Sequence, residues 1–115
     1  MHPPSGGFFV PNFMNVIYSV TVAVEESIAR EWEAWMQAKH IPDVMATGCF
    51  LDYRLLKLVD PPSEPGLETF NVQYVCANRA ALDDYLDNFA DDLRQDHAQR
   101  YEGRFVAFRT VLERR

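Results

Sequence analysis

The stretch TFNVQYVCANRAALDDYLDNFADDLRQDHAQRYEGRFVAFRTVLE (69–113) changes its period twice. Residues 69–77 alternate apolar and polar side chains, the period of two that marks a half-buried strand. Asn78 then stands where a helix needs a cap, because its short side-chain carbonyl can accept from a free N–H of the first turn. Beyond it Leu82, Tyr85, Leu86, Phe89, Leu93, His97 and Tyr101 recur at helical spacing, and Gly103 supplies a stop. RFVAFRTVLE (104–113) returns to a strand pattern. The unit is strand, long amphipathic helix, strand.

Working outward, the same unit precedes it. NVIYSVTVAV (15–24) alternates and is rich in β-branched residues, so it reads as a strand. SIAREWEAWMQAK (27–39) sets Ile28, Trp32, Trp35 and Met36 on one side of a helix. Pro42 is expected to end that helix and to open a short turn through Ala46, closed by Gly48. CFLDYRLLKLV (49–59) makes a second strand, and the prolines and glycine of DPPSEPGLE make the loop after it. The order β-α-β-β-α-β is the ferredoxin-like signature, an α+β fold. Right-handed crossovers give an antiparallel sheet of order 4-1-3-2 with two helices on one face.

The alternation also sorts the two faces. Val16, Tyr18, Val20, Val22 and Val24, with Cys49, Leu51, Tyr53 and Leu55 and with Phe70, Val72, Tyr74 and Cys76, belong under the helices. The other parity holds Ile17, Ser19, Thr21, Phe50, Asp52, Arg54, Leu56, Asn71, Gln73 and Val75, and Ala107, Arg109 and Val111 are expected to join it. That second face has a polar centre and apolar flanks, unlike a uniformly solvated sheet face. It suits a second copy of the chain, so a homodimer joined sheet to sheet is expected, each protomer giving half of a dimeric α/β barrel. Asp52 is then expected to pair with Arg54 or Arg109, because a charge buried in such an interface needs a partner.

Composition closes several functions. The chain has 115 residues, 48% of them hydrophobic, and a net charge of −6, which suits one globular domain. No basic stripe exists for a phosphate backbone, so no nucleic-acid partner is expected. No run approaches the roughly 20 apolar residues of a membrane span. Residues 1–13, MHPPSGGFFVPNF, lack the basic start and apolar run of a secretory signal and read as an extension, leaving 14–115 as the single domain. Two cysteines make no disulfide framework, which points to a reducing, cytoplasmic setting. Cys49 and Cys76 read as buried reduced thiols.

Chemistry-bearing residues are few. His40 follows Lys39 at the expected end of the first helix, where a cation favours the helix dipole, or it lines a pocket with Trp35 as a wall and Asp43 as an orienting partner. His97 lies on the apolar stripe of the long helix, as a packed residue or as a base or donor in a helix–sheet cleft. With the helices antiparallel, and a rise of roughly 27 Å from Arg79 to His97 at 1.5 Å per residue, the two imidazoles are not expected to meet within a protomer. No metal-ligand spacing is present, and neither a metal nor a cofactor is expected.

The string Trp32-x-x-Trp35-Met36-x-x-x-His40-Ile41-Pro42-x-Val44-x-Ala46-Thr47-Gly48-x-Phe50, then Asp52-Tyr53-Arg54, resembles an uncharacterised bacterial family of unknown function. Gln73-Tyr74, His97-Ala98 and Phe105-Val106-Ala107-Phe108-Arg109-Thr110 extend the resemblance over 14–113. Such a family is similar in architecture to the dimeric α/β-barrel superfamily, which includes antibiotic-biosynthesis monooxygenases and polyketide cyclases. Some of those act without metal or cofactor, using a His and a Tyr between sheet and helices. By position that resemblance implies His40, Asp43, Tyr53, Tyr74 and His97 as pocket candidates, with Arg54 and Arg109 as anion-binding or structural charges. A fold does not transmit a function, and three readings follow. One is a small-molecule binder, one a cofactor-independent enzyme on an aromatic substrate, and one a structural partner protein. A helix–sheet cavity separates the first two from the third.

Overall fold

A computed structural model of the chain describes residues 16–115; the proposed extension 1–13 lies outside the described residues. Strand β1 (Val16–Glu25) passes through a short 3₁₀ turn into α1 (Ala29–Trp35). A π-helical turn, Met36–His40, joins α1 to α2 (Ile41–Met45). Then follow β2 (Asp52–Lys57), β3 (Leu67–Cys76), α3 (Arg79–Asn88), α4 (Ala90–Arg100) and β4 (Phe105–Glu113). The sheet order is β2-β3-β1-β4, antiparallel throughout, which is the expected 4-1-3-2.

Pro42 does not end the first helix. It has no N–H to give and its ring would strike the carbonyl four residues back, so a regular α-turn is closed to it. The backbone widens instead: Ile41 N–H donates to Met36 O, five residues back, and the helical path runs on to Met45. His40 therefore lies within a helical rod, not at its end. Thr47 closes the rod by donating its hydroxyl to Val44 O at 2.7 Å. Helix α3, the start of the long helix expected after Asn78, is capped as the sequence suggests, Asn78 Oδ1 accepting from Ala81 N–H at 2.9 Å. It breaks at Phe89, whose φ of −130° leaves the helical region. Next to the break Asn88 Nδ2 donates to the carbonyl of Asp84 at 3.2 Å, competing with the backbone ladder and bending the helix.

The core lies between the sheet and the helices. Trp32, Phe70, Ile41, Leu82 and Val24 are its largest fully buried members, and the Trp32 and Phe70 rings meet at 4.8 Å. An aromatic block of Tyr18, Phe50, Tyr74 and Tyr85 fills the other end, with Phe50 and Tyr85 edge to face at 4.8 Å.

Register corrects the face assignment in two places. Directly paired residues point to one face, and Val20 pairs with Arg109, Val22 with Ala107, Tyr18 with Val111. Arg109, Ala107 and Val111 therefore lie on the helix-facing side, not on the open one. The open face takes Val106, Phe108, Thr110 and Leu112 from β4. The last strand carries apolar residues at both parities, so only its pairing decides. Phe50 is likewise buried under the helices, because regular pairing begins at Asp52 and the chain before it leaves the alternation. Leu51, assigned to the helix side, is exposed at that bend.

The corrected open face is ordered in rows. Arg54, Gln73, Ser19 and Thr110 cross its middle; Leu56, Asn71, Thr21 and Phe108 lie on one side of them, Asp52, Val75, Ile17 and Leu112 on the other. Phe108 is 60% exposed and Val106 69%. Asn71 Nδ2 bonds Ser19 Oγ at 2.9 Å and Thr21 Oγ1 at 3.0 Å, so the polar belt is partly paired with itself. Asp52 accepts from the Tyr53 N–H at 2.8 Å, and among the described residues it forms no ion pair with Arg54. Arg109 is on the opposite side of the sheet from Asp52, which rules out that pair within a protomer.

Candidate functional site

Between the helices and strands β3, β1 and β4 lies a cleft that encloses about 30 Å³, the rest of its space being open to solvent at the mouth. Its floor is Val20, Val22, Val72 and Ala107, and Met36 and Val44 close it from the first helical rod. Its polar lining is three tyrosines, Tyr18, Tyr74 and Tyr85, two histidines, His40 and His97, and two arginines, Arg94 and Arg109. No Asp or Glu is among its lining residues.

The two imidazoles meet, contrary to expectation, with ring centroids 5.6 Å apart. The straight-rod estimate failed because the π-turn carries the first rod past His40 and the second helix breaks at Phe89. Trp32 and His40, eight residues apart on one rod, reach His97 from either side at 6.2 and 5.6 Å. Trp32 Nε1 donates to His97 Nε2 at 2.9 Å. Since an indole N–H is a donor only, Nε2 is the acceptor and Nδ1 carries the proton of the neutral ring. Burial, with His40 and Arg109 adding to it, lowers the His97 pKa to about 4. Burial also lowers that of His40, partly opposed by Asp96 and Asp43. Both rings are neutral at pH 7. They differ in one respect: His40 Nδ1 is buried with no hydrogen-bond partner among the described residues. His97 has its acceptor engaged by Trp32, whereas His40 has a nitrogen to spare.

Tyrosines flank this pair. Burial pushes the Tyr74 and Tyr85 hydroxyls up, so both are neutral donors. Tyr18 OH accepts from Arg94 Nη2 at 2.8 Å. Arg94 Nε is buried and without a partner among the described residues.

Of the residues singled out in the sequence, His40, His97, Tyr74 and Arg109 line the cleft. Trp35 lies behind the imidazoles, 5.4 Å from His40 and 5.9 Å from His97, with the Arg100 guanidinium over its other side at 5.2 Å. Asp43 does not orient His40; its carboxylate pairs with Lys39. Tyr53 shares the helix-facing side of the sheet but sits on the edge strand, away from the cleft. Asp52 and Arg54 lie on the other side of the sheet altogether. Reasoning from sequence missed Arg94, Tyr18 and Tyr85. Arg94 precedes His97 by one helical turn, the spacing that puts both on one face. Among the described residues, no three His, Cys, Asp or Glu side chains gather as a metal site would need.

Fold and site together define a ferredoxin-like α+β domain with a helix–sheet cleft. Residues 15–115 match the domain of unknown function DUF4286, and the chain belongs to that family. No curated protein matches it by sequence. Among solved structures it is similar to a variant of SnoaB, a cofactor-independent oxygenase from Streptomyces nogalater. That match has 14% identity over 88% of this chain and 94% of the other, with a TM-score of 0.63. It is also similar to an ethyl tert-butyl ether degradation family protein from Bacillus halodurans, at 10% identity over 87% and 99%, TM-score 0.65. A third is a dimeric ferredoxin-like protein from an uncultured marine organism, at 13% identity over 88% and 98%, TM-score 0.54. At these identities the likeness is one of fold.

Proposed function

We propose that the protein is a homodimer, joined through its open sheet faces, that binds a small molecule in the cleft of each protomer. The observation that carries the binding is the cleft itself: an apolar floor with unpaired His40 Nδ1 and Arg94 Nε buried at its wall. A buried polar atom without a partner costs about 1–3 kcal/mol, a cost that a ligand's hydrogen bond removes. The enclosed room is only about 30 Å³, so a ligand also occupies the open mouth of the cleft. The open face supports the dimer, since Phe108, Val106, Leu56 and Leu112 are exposed around a polar belt. Asp52 and Arg54, which form no ion pair among the described residues, have the partner's copies to meet on that face. The two free, buried thiols suit a reducing compartment such as the cytoplasm.

Thermal-shift screening against metabolites tests the binding, and sedimentation tests the dimer. A stabilising compound whose effect is lost in His40→Ala is the expected result. No stabilisation across a broad screen, in a folded protein, counts against the reading.

A second reading, a cofactor-independent enzyme on an aromatic substrate, is favoured by His40. A neutral imidazole with a free buried nitrogen, beside neutral tyrosine donors, is the arrangement of a general base next to hydrogen-bond donors. Turnover that persists unchanged in His40→Ala would remove that base.

A further inference from the structure

We propose that the cleft selects an anionic ligand, a single-ring carboxylate carrying a hydroxyl or keto group, clamped by Arg94 and Arg109. The inference rests on the small-molecule reading above and narrows it to a ligand class. It is drawn from charge and from unpaired atoms. The chain carries 17 acidic against 11 basic side chains, yet the cleft wall holds two guanidinium groups and no carboxylate. Among the described residues neither Arg94 nor Arg109 takes part in an ion pair, although six other pairs form, four of them through arginine. Both cations thus line one cleft, Arg94 half-buried and Arg109 at the open mouth, with no carboxylate among the lining residues. Like charges held there repel, and an anion between them reverses the sign of that interaction.

The donors fit a planar anion. Arg94 Nη2 is fixed by Tyr18 OH, which holds the fork in place while its buried Nε stays free. A guanidinium offers paired N–H groups that match the two oxygens of a carboxylate. The neutral histidines add no competing charge, and His40 Nδ1 remains for a second, uncharged polar group on the ligand. Between these ends the wall is aliphatic and aromatic, which suits a flat ring. Arg109 comes from the edge strand and is exposed, at the mouth, so it also draws anions inward.

The experiment is calorimetric titration of the full chain with 4-hydroxybenzoate and with 4-hydroxybenzamide, its uncharged counterpart of the same shape. The acid is expected to bind at least tenfold more tightly. Arg109→Met is expected to weaken acid binding about tenfold and to leave the amide unchanged; Arg94→Met is expected to do the same. Arg109 is exposed, so its variant keeps the test open if Arg94→Met fails to fold. Amide-shift mapping on labelled protein must place the acid at Ala107 and His97. Equal affinity for acid and amide overturns the clamp and leaves the small-molecule reading standing. Shifts confined to the outer surface overturn the clamp as well. Binding of neither probe, with the fold intact, overturns the clamp and counts against the cleft as a pocket for ligands of this size.

Discussion

At the scale of the residue, the consequential contact is Trp32 Nε1 to His97 Nε2. It fixes which nitrogen of His97 carries the proton, and burial keeps the ring neutral by lowering its pKa to about 4. In the unfolded chain an imidazole titrates near 6.5, so between those values the unfolded state binds the extra proton and folding loses ground. The stabilisation is whole above about pH 6.5 and falls away as the pH drops toward 4, by at most roughly 3 kcal/mol at 1.36 kcal/mol per tenfold. His97→Gln keeps an acceptor for Trp32 and has no titration. Urea melts at pH 7.0 and 4.5 are expected to show a smaller acid loss in that variant than in the parent. In Trp32→Phe the neutral ring loses its donor, so the His97 pKa is expected to rise, read from imidazole carbon shifts against pH. The variant also forfeits a buried hydrogen bond of about 1 kcal/mol beyond its packing loss.

The elements depend on three local devices. Asn78 caps α3, and Asn78→Ala is expected to lower stability by about 1 kcal/mol in chemical denaturation without moving the cleft. Pro42 forces the π-turn that brings His40 onto the cleft wall. With Pro42→Ala a regular α-turn becomes available, and alanine is favoured over proline inside a helix by about 3 kcal/mol. The melting temperature is therefore expected to hold or rise while ligand stabilisation weakens, because a regular turn rotates His40 away from the wall. A melting temperature that falls would show the wide turn to be part of the packing and not imposed by the ring. The break at Phe89 is the third device, setting α4 on a course of its own with Arg94 and His97 toward the cleft.

At the scale of the whole molecule, one sheet has two unlike faces. One is sealed by helices and holds the cleft; the other shows Phe108 and Val106 to solvent on a sheet whose central row is polar. A lysine at Phe108 in both copies would place two charges inside the proposed interface. Phe108→Lys is expected to sediment as a monomer where the parent sediments as a dimer, with its far-ultraviolet spectrum unchanged. Arg94 and Arg109 lie on the helix side of the sheet, so their variants are expected to leave the dimer intact. A parent that sediments as one chain at micromolar concentration would take away the barrel.

The order of elements, the sheet order and most of the core follow from the sequence alone, because they rest on local rules. Val16 to Val24 alternate, Trp32 and Met36 recur at helical spacing, and Asn78 and Gly103 punctuate the second helix. His97 is legible for the same reason, a polar group on an apolar stripe, whereas His40 stands out by its place after Lys39 and before Pro42 and Tyr74 only through the family resemblance. What tertiary structure alone decided is where those stripes meet. The side of the sheet that Arg109 faces depends on its pairing with Val20, some ninety residues away, which no local pattern encodes. The meeting of His40 with His97 depends on a widened turn and a broken helix, small departures from ideal rods that summed along two elements into a contact. Period and capping are properties of neighbours along the chain; register and convergence are settled only when distant segments pack.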